Sequence, residues 1–155
     1  MGDLSPDALY EVLADGWSYG SWVVGTKEIR DVDDTWPAVG SCIHYTVGVG
    51  PLTFRDLTTV RAVRPGRQLV LEARGWPAGT VGIRLDLDPA PDGGTRVAIR
   101  EEPERGIAAR LHNPLTDLLI RLRNVLTLRR LARVARRSAG RSPSTARVSA
   151  GPASP

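Results

Sequence analysis

Apolar residues recur along this chain at two different spacings, and the spacing changes once. Between Thr26 and Pro103, Val81, Ile83, Leu85 and Leu87 alternate with Gly82, Arg84, Asp86 and Asp88, and Leu69, Leu71 and Ala73 are set against Glu72 and Arg74. A two-residue period places one set of side chains on each face of a strand, so it predicts a sheet with one covered and one wet face. After Asn113 the spacing lengthens. Leu115, Leu118, Leu119, Leu122, Val125, Leu126 and Leu131 follow mainly at three- and four-residue steps, which predicts a single helix from Asn113 to about Arg137 with a leucine stripe. Burying such a side chain is worth roughly 1.5–3 kcal/mol, so the stripe is expected to be covered, and the preceding strands are the available cover.

Punctuation fills in the remaining elements. Ser5-Pro6-Asp7 combines a capping hydroxyl, a first-turn proline and an early carboxylate; Leu9, Val12 and Leu13 then share one face of a short helix that stops near Gly16. Trp17, Tyr19 and Trp22 follow in a Gly/Ser-rich stretch with room for a second helical turn. Strands are expected near 26–33, 41–49, 53–64, 68–75, 80–88 and 95–102, separated by Gly, Pro and Asp as in an antiparallel meander. Asp92-Gly93-Gly94 supplies the hairpin into the last of them. Residues 138–155 hold no Leu, Ile or aromatic side chain and are expected to form a disordered Ser/Ala/Pro/Arg tail after a single domain over 1–137.

Charge divides the chain again. Residues 1–104 carry 10 Lys+Arg against 16 Asp+Glu, whereas 105–155 carry 11 against 1, so an acidic body ends in a basic segment. Cys42 is the only cysteine, which rules out an internal disulfide. Neither a secretory leader nor an apolar run of the ~18 residues that a membrane span needs is visible. The expected setting is cytoplasmic.

Order and spacing of several short motifs carry a resemblance. Trp22-Val23-Val24-Gly25-Thr26, Trp36-Pro37-Ala38-Val39-Gly40-Ser41, His44, Gly48-Val49-Gly50-Pro51-Leu52, Gly94-Thr95 and Arg123-Asn124 together resemble the SRPBCC superfamily, in particular bacterial proteins of polyketide cyclase/dehydrase-like type, over about residues 5–137. The resemblance implies an α+β helix-grip (START-like) fold, a curved antiparallel sheet wrapped around a long C-terminal helix, with a cavity for lipids, polyketides or other hydrophobic molecules. Members of that superfamily begin with a strand that pairs with the last one. Only four residues precede Ser5 here, so six strands are expected instead of seven, and a shortened or mis-assigned start is the expected reason.

Candidate chemistry is sparse. With two histidines and one cysteine, a three-histidine zinc site is excluded and no metal or cofactor is expected. His44 is a candidate proton-transfer group if its strand turns it inward, but alternation leaves open whether Ile43, Tyr45 and Val47 or Cys42, His44 and Thr46 face the core. Asp56 and Glu101 are two further candidates, by parity with Phe54 and Thr58 and with Val97 and Ile99; equally, each suits a turn or a strand mouth. The expected cavity lining is Trp22, Tyr45, Phe54, Leu71, Trp76, Ile83, Leu85, Ile99, Leu118, Leu122, Asn124 and Leu126, the tryptophans serving as cavity wall or as plain core. Asn124 is the polar group expected at the edge of the stripe.

Three readings follow, in order: a protein that binds a hydrophobic small molecule; a cyclase or dehydratase acting on a polyketide-like substrate; and a basic helix end that contacts nucleic acid or anionic membrane. Nucleic acid is the least expected partner, because no RNA- or DNA-binding motif accompanies the arginines. No catalytic set of the superfamily carries over onto these residues, so whether the chain is an enzyme stays open at this point, as does its oligomeric state.

Overall fold

The computed structural model describes residues 3–49, 51–75, 79–105 and 114–140. Helix α1 (Pro6–Ala14) leads through a 3-10 turn (Gly16–Ser18) into the short α2 (Tyr19–Trp22). Six strands follow, β1 (Thr26–Val32), β2 (Cys42–Val49), β3 (Leu52–Arg64), β4 (Gln68–Gly75), β5 (Gly79–Pro89) and β6 (Thr95–Arg105), and then α3 (Pro114–Ala139). The strands form one antiparallel meander in the order β1-β2-β3-β4-β5-β6, as the sequence predicts.

Local signals act where expected. Ser5 Oγ accepts the Ala8 N–H at 3.2 Å, with Pro6 opening α1. The β5–β6 hairpin turns on Gly93, at φ 83°, while Asp92 Oδ1 accepts the Gly94 N–H at 3.1 Å. The predicted cap Asn113 and the tail beyond Gly140 lie outside the described residues.

Register decides which face is inner. Directly paired residues share a face, and Ile43↔Thr58↔Ala73↔Val81, Val60↔Leu71↔Ile83↔Glu101 and Val63↔Leu69↔Leu85↔Ile99 run as rows across the sheet. Ile43, Val60, Leu69, Leu71 and Leu85 on these rows, and Leu87 on the same face, are closed into the core with Leu9, Leu13 and Trp22. The opposite face carries Cys42, His44, Glu72, Arg84, Asp86 and Arg100; there Asp86 accepts from Gln68 Nε2 at 2.7 Å and from Arg84 Nε at 3.0 Å, and Arg61 meets Glu72 at 2.6 Å.

An aromatic knot ties α1 and α2 to the sheet. The Tyr19 ring lies 4.4 Å from Trp22 and 5.5 Å, edge-on, from Trp36. Tyr19 Oη and Trp36 Nε1 both donate to the Leu13 carbonyl, at 3.0 and 3.2 Å, and Trp22 Nε1 donates to Ser18 Oγ. Each buried polar tip thus has a partner.

Helix α3 departs from the expected lid. Its closest described packing is against α1 and α2. Leu131, Ala132 and Ala135 are buried there, and Thr127 Oγ1 accepts the Val24 N–H at 3.4 Å. Leu118, Leu122, Val125 and Leu126 are 52%, 53%, 45% and 47% exposed. The reason is angular. At about 100° per residue, the five-residue step from Leu126 to Leu131 turns the helix by about 140°, so the leucines do not form one stripe: Leu131 faces the core while the earlier group faces nearly the opposite way.

Candidate functional site

The inner face of the sheet has a packed end and an open end. Leu69, Leu71, Leu85 and Leu87 are closed off, whereas Tyr45, Phe54, Val81, Ile83, Val97 and Ile99, on the same face, are only half-buried. Val97 and Ile99 lie on the edge strand β6, whereas Tyr45, Phe54, Val81 and Ile83 lie on the inner strands β2, β3 and β5. Because the described contacts of α3 run mainly to α1 and α2, these half-buried residues are the floor available to a cleft beneath its N-terminal half.

The positions of α3 on the Leu131 side are Thr127, Asn124 and Ile120, at steps of about one helical turn. Thr127 is buried; Asn124 and Ile120 are half-buried. The roof is thus narrower and more polar than the leucine pattern suggests. On its flank, Arg123 reaches down from the helix and donates through Nη2 to Glu101 Oε1 on β6. The Glu101 side chain is 9% exposed, so this ion pair joins helix and sheet at a largely desolvated carboxylate.

Opposite stands a second polar group. Tyr45 on β2 pairs directly with Asp56 on β3, and its hydroxyl lies 3.1 Å from Thr58 Oγ1. Asp56 and Thr58 are both buried; Asp56 Oδ1 also takes the Leu57 N–H at 3.3 Å. Burial raises the Tyr45 pKa above the ordinary value, the Thr58 hydrogen bond opposes this, the Asp56 carboxylate adds to it, and Arg123 opposes it again. The phenol therefore stays neutral through the physiological range and keeps a hydroxyl able to donate or accept.

The expected site residues fall into five groups. Tyr45, Phe54, Ile83 and Ile99 share the half-open inner face with Asp56 and Glu101, and Asn124 lies on the roof side. Trp22, Leu71 and Leu85 are closed into the core beneath. His44 is corrected: its direct partners are Asp31 and Leu57 on the outer face, because one residue of parity moves a side chain through the sheet. Leu118, Leu122 and Leu126 are corrected as cavity lining by the helix rotation described above. Trp76 lies outside the described residues.

Sequence reasoning left Thr58, Ile120 and Arg123 out of the lining. Their signal lay in α3's phase relative to Leu131 and in β3's parity relative to Val60.

Two surface grooves occur elsewhere. One, of about 520 Å³, is lined among the described residues by Val125, Leu128, Arg129, Ala132, Arg133 and Arg136. The other, about 220 Å³, lies between α1 and the end of α3, at Glu11, Val12, Asp15, Ser18, Val134 and Ser138. Neither shares a lining residue with the sheet interior. Among the described residues there is no group of three His, Cys, Asp or Glu side chains placed to hold a metal, and no helix long and apolar enough to cross a membrane.

No family model and no curated protein matches this chain. Solved structures do. Protein NE0264 from Nitrosomonas europaea superposes with a TM-score of 0.69 at 14% identity, over 88% of this chain and 90% of its own. Ara h 8.0201 gives 0.64 at 13% identity, over 85% and 90%. The di-domain ARO/CYC StfQ from the steffimycin biosynthetic pathway gives 0.66 at 11% identity, over 88% of this chain and 48% of its own. At these identities the likeness shows the fold alone, which in this chain is a six-stranded antiparallel sheet with a C-terminal helix in the helix-grip arrangement.

Proposed function

We propose that this chain binds a hydrophobic small molecule, lipid- or polyketide-like, in the cleft between the inner sheet face and the N-terminal half of α3. The carrying observation is that Tyr45, Phe54 and Ile83, on the inner face of non-edge strands, stay half-buried while Leu69, Leu71, Leu85 and Leu87 on that face are closed. Apolar surface left accessible in a concave site is what an apolar ligand covers, and the likeness to Ara h 8.0201 and StfQ supports the reading at the level of fold. The polar groups at either side of the cleft, Tyr45 with Thr58 and Arg123 with Glu101, would orient a ligand that carries a hydroxyl or carbonyl group. A cytoplasmic, carrier-type role fits this reading. Extraction of the purified protein followed by mass spectrometry tests it, together with melting-temperature shifts across a panel of lipids and aromatic polyketides. A co-purifying apolar compound, or a shift that Ile99→Trp abolishes, is expected; absence of both would refute it.

A second reading, a cyclase- or dehydratase-type enzyme, is favoured by one observation. A buried carboxylate, Asp56, lies directly across from a neutral phenol, Tyr45, with Glu101 on the same face, which is the raw material for proton transfer. StfQ, an ARO/CYC, is among the proteins of like fold. Turnover of a polyketide-like substrate that falls at least a hundredfold in Asp56→Asn or Tyr45→Phe, with the melting temperature held, would support it; turnover unchanged in Asp56→Asn, Tyr45→Phe and Glu101→Gln would remove it.

A further inference from the structure

The face of α3 that turns away from the core has its own chemistry. Leu118, Leu122, Val125, Arg129, Arg133 and Arg136 succeed one another at three- and four-residue steps, so they stand in one row along the helix. The first half of that row, with Leu126 beside it, is apolar and half exposed. The second half is cationic and lines the 520 Å³ groove with Val125, Leu128 and Ala132 as its apolar wall. Among the described residues Arg136 is held by Asp3, whereas Arg129 and Arg133 take part in no ion pair. Asp117 is the only acidic residue of α3 against seven arginines.

We propose that this face docks onto an anionic lipid bilayer, the leucines entering the acyl boundary and Arg129 and Arg133 meeting headgroup phosphates. A helix lying in the membrane interface needs this pairing of aliphatic side chains with flanking arginines. Other occupants fit less well. Nucleic acid would satisfy the arginines and leave four aliphatic side chains in water. A second copy packed through the same row would lay arginine on leucine if antiparallel and oppose arginine to arginine if parallel. The apolar stretch from Leu118 to Leu126 is also only about 12 Å long, too short for the roughly 800 Å² per partner of a stable protein interface.

The proposal is independent of the cleft and of whatever the cleft holds. Flotation of the full chain is compared with vesicles of phosphatidylcholine alone and of equal parts phosphatidylcholine and phosphatidylglycerol. It should rise with the anionic vesicles at low ionic strength, remain behind with the neutral ones, and detach as salt is raised. Arg129→Glu with Arg133→Glu should weaken the anionic partition at least tenfold, on about fivefold per charge removed, and Leu122→Ser with Leu126→Ser at least tenfold. Both pairs are exposed, so the melting temperature should hold; Ile99→Trp, in the cleft, should leave flotation unchanged. Failure to float with either vesicle, equal flotation with both, or indifference to the leucine pair would overturn the proposal. So would a dimer in light scattering that the leucine pair splits, which would assign the face to a second copy.

Discussion

A Cβ added to Gly48 would stand 2.0 Å from the Leu52 carbonyl oxygen, a backbone atom that cannot move without breaking the β2–β3 hairpin. Gly48→Ala is therefore expected to cost at least about 1–3 kcal/mol, as overpacking does, read as a lowered urea midpoint. Tyr45 gives a pH signature. Burial raises its folded-state pKa above 10.0, so the folded chain holds the phenol proton after the unfolded chain has lost it. The stabilisation is whole below pH 10 and is lost as pH climbs through the folded value. Stability should therefore decline more steeply with alkaline pH in the wild type than in Tyr45→Phe, measured by denaturant titration across that range. At this scale the sequence identified residue types well: Asp56, Glu101, Tyr45 and Asn124 were all legible as chemical groups. Which way His44 pointed was not, because Ile43/Tyr45/Val47 and Cys42/His44/Thr46 are both plausible inner sets. The long-range pairing with β3, which aligns Ile43 with Thr58 and Tyr45 with Asp56, decides it.

Strands and hairpins were legible because alternation and Gly/Asp turns are local signals. Helix α3 was legible as a helix and misleading as a face. Counting leucines gave a stripe centred near Leu122, whereas Leu9, Leu13 and Trp22 belong to a core that receives Leu131, Ala132 and Ala135. Small residues at 132 and 135, which let α3 approach α1 and α2 closely, were the overlooked signal. Two truncations separate the faces. Leu131→Ala, at a fully buried position, should cost about 2–5 kcal/mol; Leu122→Ala, half exposed, should stay within about 0.5 kcal/mol. Equal costs, in thermal or urea unfolding, would mean that the leucines are covered after all. Ser5→Ala, which removes the α1 cap, should cost about 1 kcal/mol by the same measurement.

Across the whole molecule, the helix-grip order of elements was legible before any coordinates, while the width of the grip was not. That width depends on how far α3 stands from the sheet, a balance between its packing on α1 and α2 and the bridge from Arg123 to Glu101. Replacing the arginine leaves a desolvated carboxylate without its cation, so Arg123→Met should destabilise by about 1–3 kcal/mol, more than an exposed ion pair is worth. The cleft itself is tested most directly by titrating the protein with Nile red, an uncharged apolar dye, and following its blue-shifted emission. Wild type should bind it, Ile99→Trp should weaken binding at least tenfold by filling the cleft, and His44→Trp, on the outer face, should leave it unchanged. Binding that ignores Ile99→Trp, or no binding at all, would contradict a ligand site between the sheet and α3.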